Sequence, residues 1–297
     1  MILVIGEILF DVFPDYKRIG GAPFNFAFHL KKLGCSVRFV SKVGNDIYGR
    51  EIHKFLARHD FDLNDIQVDN QAGTGEVRVF FEKDGRHRFE ILENKAYDLI
   101  SYSPRLKKQV EGKLDAVYFG TLVQRTKPGA ALIARVMAEK RKQAKAFCDL
   151  NLRPDCYTRE TVHASLQYAD ILKLSREELV TVVFGSPHAG AEDVISTLME
   201  KHRLETVILT KGAGGSEWMD KKGHYKIKPS GDIPVKDTVG AGDAFAAMTA
   251  ACLMKNIGPE KAMALSQSFA SDICTIKGAI PDDGDFYDKY IDQLEGR

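Results

Sequence analysis

The second half of the chain contains the stretch DTVGAGDAF at residues 237–245, and an alanine-rich segment follows it to about Asn256. Gly240 and Gly242 let the backbone turn tightly and carry no side-chain bulk, so successive N–H groups can converge on an anion at the start of a helix. From Phe245 onward, apolar residues recur at the spacing of one buried helical face. The stretch therefore predicts an anion-binding turn that leads into a buried helix.

Asp243 lies inside this turn, and its carboxylate has two interpretations. It can cap the helix, or it can take a proton from a group that approaches a bound phosphate. Glycine-rich turns before helices are common in α/β proteins, so the stretch alone favours neither role.

The composition is typical of a globular protein, since 28% of the 297 residues are charged and 44% are hydrophobic. The 42 basic and 41 acidic residues nearly balance, so no overall field attracts nucleic acid or an anionic membrane. We therefore expect a small-molecule partner, with no nucleic acid and no membrane.

The sequence also bears on the compartment. It has no run of about 20 apolar residues that could span a membrane. Residues 1–6 are followed directly by a glutamate and lack the basic flank and the long apolar core of a signal peptide. The five cysteines are odd in number and form no Cys-x-x-Cys pair, which argues against a disulfide framework or a zinc site. These features predict a cytoplasmic protein.

Residues 1–6 form a continuous apolar run, which predicts a buried strand. Glu7 and Asp11 follow it, at the position where open α/β sheets bind ligands. For Asp11 the alternative is an ordinary loop aspartate.

Two glycines, Gly20 and Gly21, precede a helix that is predicted to reach Leu33. They permit close approach of the backbone, and Asn25 offers a donor and acceptors to a hydroxyl-bearing ligand. The segment is either a sugar-binding cradle or a plain turn with a helix start.

Between residues 73 and 92, apolar and polar residues alternate on both sides of the turn Lys83-Asp84-Gly85. This pattern predicts a hairpin with one exposed face, which is a candidate lid. Elsewhere strand and helix patterns alternate, which implies parallel pairing with helices on both faces of the sheet. The predicted strands are 37–43, 116–119, 146–150, 171–174 and 206–209, and the predicted helices are 128–143, 159–167, 176–184 and 191–202. A further predicted helix is capped by Asp46 and runs to about His59. We expect one doubly wound α/β domain over residues 1–297.

Several predicted strands end in polar residues, which parallel pairing would gather along one edge of the sheet. These polar ends are Asp149-Leu150-Asn151-Leu152-Arg153, Lys173-Leu174-Ser175-Arg176-Glu177-Glu178 and the run from Thr210 through Gly212, Gly214 and Gly215. The last run is typical of a nucleotide-contacting loop, although glycine turns after strands are frequent. Glu178, on a charged helix, is also typical of a solvated side chain.

In this order the motifs resemble those of the ribokinase-like family of carbohydrate kinases and, within it, the fructokinase branch. The most specific element is the stretch at residues 237–245, and GGAP at residues 20–23 with Asn25 is the matching N-terminal signature. The resemblance spans nearly the whole chain. It implies a three-layer α/β/α core with a mostly parallel sheet and a small β lid, formed by about residues 10–22 and 73–95. It also implies ATP as phosphoryl donor, Mg²⁺ as cofactor and a sugar hydroxyl as acceptor.

The resemblance further implies roles for single residues. Asp243 would be the catalytic base, and the amides of Gly240, Ala241 and Gly242 would form the anion hole. The sugar contacts would be Asp11, Gly20, Gly21 and Asn25, with Arg153 near the phosphates or the sugar. The nucleotide loop would contain Thr210, Gly212, Gly214 and Gly215.

One motif departs from the family's pattern. The family commonly carries Asn-x-x-Glu where this chain has Ser175-Arg176-Glu177-Glu178. Glu178 keeps the carboxylate that would order water around Mg²⁺. Many relatives also bind a monovalent cation, for which the resemblance implies Asp237, the carbonyl of Val239 and the segment 273–278, so K⁺ is a candidate.

We therefore expect ATP-dependent phosphorylation of a hexose, D-fructose, to fructose 6-phosphate. The alternatives are another acceptor, namely 2-dehydro-3-deoxygluconate, ribose or a nucleoside, and a catalytically silent regulator that binds sugar or nucleotide. An NAD-dependent oxidoreductase lacks support, because no Gly-x-Gly-x-x-Gly follows the first strand. An exposed lid edge can pair with a second subunit, which makes a homodimer a further expectation.

Overall fold

The computed structural model describes residues 1–81, 87–182, 191–228, 233–282 and 284–297. In these ranges the strands β1 to β13 are, in chain order, Ile2–Ile5, Leu9–Val12, Lys17–Gly20, Val37–Gly44, Ile66–Asp69, Gly75–Phe81, His87–Ile91, Ala116–Phe119, Lys145–Asp149, Ile171–Ser175, Thr206–Thr210, Ser216–Asp220 and Gly223–Ile227. The helices α1 to α10 are Ala22–Lys32, Ile47–Arg58, Pro104–Val110, Lys127–Glu139, Arg159–Tyr168, Arg176–Val182, Ala191–His202, Ala241–Met254, Pro259–Ile273 and Asp288–Glu295. Short 3-10 turns cover Leu63–Asp65, Ala96–Leu99, Leu122–Gln124, Gly212–Gly214 and Gly284–Tyr287.

Within the described residues, nine strands form a main sheet in the order β13-β12-β11-β10-β9-β8-β1-β4-β5. From β5 to β11 the neighbours in this order pair in parallel, as repeated strand–helix units predict. β12 and β13 instead extend the sheet antiparallel. Between β12 and β13, Oδ1 of Asp220 accepts hydrogen bonds from the N–H groups of Lys222 and Gly223 at 2.7 and 3.1 Å. These hydrogen bonds close a tight turn that connects the two strands. A turn this short cannot make the crossover that parallel strands need, so the expected strand–helix alternation ends at β11.

Successive residues of a strand face opposite sides of the main sheet. In β1, Ile2 and Val4 belong to the core with α1, α2, α8, α9 and α10, whereas Leu3 and Ile5 belong to the core with α3 to α7. The continuous apolar run of β1 thus reflects burial on both faces. The protein has three layers, helices, sheet and helices, as the sequence predicts.

Helix α8 is buried from Ala244 to Cys252, rather than along one face as its apolar spacing predicts. It packs against α1 and α9, and its alanines let these helices approach closely. The hydroxyl groups of Thr249 and Ser266 lie 2.9 Å apart across the contact with α9. The start of α8 is therefore fixed to a rigid part of the core.

A second, small sheet has the strand order β3-β2-β6-β7. The antiparallel pairing of β6 with β7, with Val77 opposite Ile91, confirms the predicted hairpin; its Lys83-Asp84-Gly85 turn lies outside the described residues. Leu9 and Val77 of this sheet pack on Tyr97 and Leu122. One face of the small sheet is thus attached to the main body.

The bounds of most predicted elements agree with the structure to within a few residues. The predicted helix 128–143 ends earlier, at Glu139, because Lys140 adopts an extended backbone with ψ 148°. The predicted helix 176–184 is described only as far as Val182. In the described ranges, no helix is both long and apolar enough to cross a membrane.

Candidate active site

The glycine turn begins α8 in a conformation that requires glycine. Gly240 is the N-cap of α8 and has a left-handed backbone with φ 79°. A Cβ atom on Gly240 would lie 2.3 Å from the Cβ atom of Ala279, so neither the backbone angle nor the space suits a side chain. The N–H of Ala241 lies 3.3 Å from the carbonyl oxygen of Thr238, and Gly242 is exposed. The turn therefore presents the positive end of α8 at the surface.

A hydrogen bond joins this turn to helix α1. Nδ2 of Asn25 donates to Oδ2 of Asp243 at 2.8 Å. Asn25 is buried, and its Oδ1 atom has no partner among the described residues. The contact with Asp243 thus fixes the amide and leaves its carbonyl oxygen as an acceptor.

The surroundings of Asp243 raise its pKa to about 6. Burial is the largest cause, and the carboxylate of Asp149 adds to it; the hydrogen bond from Asn25 and the cations of Lys173 and Arg153 lower the pKa. A carboxylate with a pKa raised toward neutrality is suited to accept a proton from a hydroxyl group.

Asp11 lies on β2, opposite Arg18 of β3. A Cβ atom on Gly20 would lie 2.4 Å from Oδ2 of Asp11, so the glycine leaves room for this carboxylate. Burial raises the pKa of Asp11 to about 6, the cation of Arg153 lowers it and the charge of Asp243 raises it. Asp11 and Asp243 therefore belong to one electrostatic site, although they come from the small sheet and from α8.

Gly21 brings the start of α1 against the end of β1. Its φ is 112°, and a Cβ atom on it would lie 2.6 Å from the carbonyl oxygen of Glu7. Glu7 is 4% exposed, and burial raises its pKa to about 7. The sequence assigns Glu7 no role, and the signal it offers is the position of this carboxylate directly after a buried strand.

Arg153 follows β9, and its side chain is exposed. Its cation lowers the pKa of Glu7, Asp11 and Asp243, so it borders the same group of carboxylates. Asn151, in a left-handed conformation with φ 41°, turns the chain between β9 and Arg153. An exposed guanidinium at this position suits a phosphate or a hydroxyl group of a ligand.

A buried ion pair between Lys173 of β10 and Asp149 of β9 was not predicted. Nζ of Lys173 lies 2.9 and 3.0 Å from the two carboxylate oxygens of Asp149. A Cβ atom on Gly242 would lie 3.5 Å from the same Nζ, so the ammonium group lies beside the first turn of α8. Burial lowers the pKa of Lys173, but the carboxylates of Asp149 and Glu178 outweigh it and the pKa is raised overall. The sequence places Lys173 and Asp149 among the polar strand ends at one edge of the sheet, but it does not pair them.

Ser175 and Glu178 form a capping box at the start of α6. Oγ of Ser175 accepts from the N–H of Glu178 at 3.2 Å, and Oε2 of Glu178 accepts from the N–H of Ser175 at 2.7 Å. Oε1 of Glu178 accepts from the N–H of Leu152 at 2.6 Å. Serine and asparagine are both favoured N-caps, so Ser175 preserves the local structure where the resembled family has asparagine.

The residues present fit Mg²⁺ only through water and substrate. In the part of the chain that the structure describes, no three His, Cys, Asp or Glu side chains are grouped to hold a metal ion. Asp149 is paired with Lys173, and both oxygens of Glu178 accept backbone N–H groups. Carboxylate oxygens have further lone pairs, and Mg²⁺ usually keeps several waters and binds substrate phosphates. Glu178 therefore suits a contact to Mg²⁺ through water.

The predicted nucleotide loop follows β11, next to β10 in the main sheet. Gly212, with φ 53°, and Gly214 are exposed on a 3-10 turn. Gly215 is buried, and a Cβ atom on it would lie 2.0 Å from the carbonyl oxygen of Ile227. Gly215 is thus required by the packing of β12 against β13, while Gly212 and Gly214 are open to a ligand. Thr210, the last residue of β11, donates from Oγ1 to the carbonyl of Leu174 at 3.4 Å.

Asp237 connects the glycine turn to a later segment of the chain. Its Oδ1 accepts from the N–H of Val239 at 3.0 Å, and its Oδ2 accepts from the N–H of Gly278 at 2.9 Å. The guanidinium of Arg18 lies 3.8 Å from Oδ2. Asp237 therefore orients the backbone whose carbonyl groups, including that of Val239, a monovalent cation would meet.

The structure brings the predicted sugar contacts to the start of α8. Asn25 donates to Asp243, the charges of Asp11, Arg153 and Asp243 act on one another, and Gly20 leaves room for the carboxylate of Asp11. Glu178 and the Thr210 loop lie at the same edge of the main sheet, since they follow the parallel strands β10 and β11. The arrangement places a carboxylate with a raised pKa, that of Asp243, beside a helix N-terminus of the kind that attracts anions.

A mostly parallel sheet between two helical layers, with a second small sheet and a glycine turn at the edge where the parallel strands end, is the architecture of the ribokinase fold. A solved fructokinase from Xylella fastidiosa with bound ATP has this fold. It matches with a TM-score of 0.83 and 22% identity, over 100% of this chain and 99% of that one.

The model of the pfkB family of carbohydrate kinases matches residues 7–283. The chain belongs to this family, and it is a sugar kinase. Among curated relatives, a fructokinase of Salmonella typhimurium is 27% identical over 296 residues, which cover 93% of this chain and 94% of the relative. A probable fructokinase-5 of Arabidopsis thaliana is 28% identical over 306 residues, with 95% and 93% covered.

Proposed function

We propose that this sugar kinase transfers the γ-phosphoryl group of ATP to a primary hydroxyl group of D-fructose, giving fructose 6-phosphate. The hydrogen bond between Asn25 and Asp243 carries the proposal, because it sets a hydroxyl-recognising amide beside a carboxylate at the positive end of α8. The names of the curated relatives support fructose as the acceptor. The ATP bound to the Xylella fastidiosa fructokinase supports ATP as the donor.

Phosphoryl transfer needs alignment and charge stabilisation more than covalent chemistry from the protein. Asp243 accepts the proton of the sugar hydroxyl as the new bond forms, a role that its raised pKa suits. The first-turn amides of Gly240, Ala241 and Gly242 stabilise the negative charge that develops on the transferring group. The fixed position of α8 in the core keeps these amides oriented before the substrates arrive.

The sugar binds between the small sheet and α1. The carboxylate of Asp11 and the amide of Asn25 bind its hydroxyl groups. Gly20 leaves room for the carboxylate of Asp11, and Gly21 lets α1 start close to the backbone of Glu7. Arg153 stabilises a negative charge on the substrates.

The nucleotide binds at the loop that contains Thr210, Gly212, Gly214 and Gly215. Glu178 would hold Mg²⁺ through water, and the bound ion would neutralise charge on the phosphates of the nucleotide. K⁺ would bind at the carbonyl of Val239, in the loop that Asp237 orients. A requirement for K⁺ is tested by comparing turnover in potassium and in lithium salts.

We also propose that residues 1–297 form one kinase domain, in which residues 10–22 and 73–95 act as a lid. A closed lid excludes water, which competes with the sugar as acceptor. Phe80 and Phe89 of the small sheet are 37% and 52% exposed, so this sheet is the surface that we assign to a homodimer. Sedimentation of the wild-type protein tests the dimer, and a monomer at micromolar concentration would contradict it.

A panel of free sugars with ATP, assayed by ADP release, tests the function. Fructose is expected to give the highest kcat/KM, with the phosphate on C6. A higher kcat/KM with ribose, a nucleoside or 2-dehydro-3-deoxygluconate would show that this compound, rather than fructose, is the acceptor. The proposed kinase chemistry would then remain unchanged. If no sugar stimulates ADP release, the chain is a silent regulator instead.

A further inference from the structure

The ion pair of Lys173 and Asp149 is buried beside the reacting groups. The side chains of Lys173 and Asp149 are 8% and 1% exposed, and the hydroxyl group of Tyr118 lies 3.3 Å from Oδ2 of Asp149. Nζ of Lys173 is 3.5 Å from the position of a Cβ atom on Gly242. Glycine at residue 242 thus lets the first turn of α8 lie against this ammonium group.

Stability alone does not explain such a pair. Moving two charges out of water is costly, and well-packed apolar side chains often stabilise a core as well or better. The pair joins Asp149, the last residue of β9, to Lys173 of β10 beside the first turn of α8. Its position points to a role in the site.

Charged groups surround Asp243 on several elements. The carboxylates are Glu7 after β1, Asp11 on β2, Asp149 on β9 and Glu178 on α6, and the cations are Lys173 on β10 and Arg153 in the loop after β9. Arg153 is exposed, so water and salt screen its charge. Lys173 is buried, so its charge acts on Asp243 with little screening.

We propose that Lys173 is a positioning residue for phosphoryl transfer: Asp149 holds its ammonium group beside α8, where it keeps Asp243 in the carboxylate form and adds to the positive end of the helix. This inference rests on the proposed role of Asp243 as the base. It predicts that the two members of the pair have opposite effects on Asp243. When Lys173 loses its charge, the negative charge of Asp149 remains near Asp243. When Asp149 loses its charge, the positive charge of Lys173 remains there.

The test is the pH profile of kcat for three variants. In Lys173→Met, the acid limb is expected to move to higher pH by about one unit or more, because a neighbouring like charge disfavours ionisation. In Asp149→Asn, the acid limb is expected to move to lower pH. In the double variant both charges are gone, so the acid limb is expected to return near its wild-type position. The kcat is expected to stay reduced, because the positive charge beside α8 is missing.

Matched controls separate this role from a structural one. Lys145→Met removes the lysine of an exposed ion pair with Glu205 at the other end of β9 and should leave the profile unchanged. If Lys173→Met does not fold, Asp149→Asn and the double variant still test the role of Lys173. The double variant is expected to fold because it leaves no unpaired buried charge. An acid limb of Asp149→Asn at the wild-type pH, with activity lost in both variants only in proportion to unfolded protein, would overturn the proposal. Asp243→Asn is assayed in parallel, because full turnover in that variant would instead remove the proposed base.

Discussion

Nδ2 of Asn25 lies 2.8 Å from Oδ2 of Asp243, although the two residues are 218 positions apart in the chain. The contact joins the start of α1 to the first turn of α8, and these two helices pack together. The segment that we propose to bind the sugar thus meets the segment that we propose to bind the phosphate. The predictions below follow from this arrangement and from the charges around it.

Replacing Asp243 by Asn should lower kcat by about 10²- to 10⁴-fold, because an amide cannot accept the hydroxyl proton. The side chain keeps its size, so the affinity for ADP, measured by calorimetry, should change little. Near-normal turnover in Asp243→Asn would show that another group is the base.

Replacing Asp11 by Ala should raise the KM for the sugar by about 10- to 150-fold, the equivalent of losing hydrogen bonds to a charged group worth roughly 1.5–3 kcal/mol. Initial rates at varied sugar and saturating ATP measure this effect. Asp15 is an exposed carboxylate between β2 and β3, and Asp15→Ala is the matched control with an unchanged KM. Equal KM values for both variants would contradict the role of Asp11.

Replacing Gly240 by Ala should lower the free energy of unfolding by about 1–3 kcal/mol, because the backbone is left-handed and the added methyl group meets Ala279. It should also lower kcat, since relief of the clash displaces the first-turn amides. Urea unfolding and ADP release measure the two effects. Gly258→Ala, at the start of α9, is the control, because its φ is −65° and no atom lies within 4 Å of the added Cβ; equal losses in both variants would argue against strain at Gly240.

Glu7 gives a pH-dependent prediction for stability. Its pKa is raised from 4.5 to about 7 by burial, so the folded state binds its proton more tightly than the unfolded state does. The stabilisation is present below pH 4.5 and is lost as the pH rises through about 7. Wild type should therefore lose up to about 3 kcal/mol relative to Glu7→Gln between these pH values.

Urea unfolding of wild type and Glu7→Gln at several pH values measures this difference. The comparison cancels the titration of Asp11 and Asp243, which occurs in both proteins. Parallel stability curves for the two proteins would show that Glu7 ionises normally in the folded state.

Much of the fold could be predicted from local patterns. The continuous apolar runs of β1 and β8 are typical of strands buried on both faces, and the structure has them within a residue of the predicted bounds. Asp46, predicted to cap α2, accepts from the N–H of Gly49 at 2.8 Å. The antiparallel strands β12 and β13 were missed, because a two-residue turn closed by Asp220 carries a weak signal beside regular strand–helix units.

The candidate site was predicted less completely. The resemblance assigned Asp11, Asn25 and Asp243, but no pattern paired Lys173 with Asp149 or buried Glu7 beside them. Such contacts depend on which strands become neighbours in the sheet. The apolar pattern of a single strand does not predict the order of the strands.

The sequence by itself determined the glycine turn. Gly240 adopts a left-handed backbone and Gly242 carries no side chain, and few other residues meet these local requirements. Only the tertiary structure decided what Asp243 can do there. Its raised pKa depends on burial and on Asp149, Lys173 and Asn25, which come from distant segments. Electrostatic interactions act through space in a low-dielectric interior, so the chemistry of this carboxylate is set by packing rather than by its neighbours in the chain.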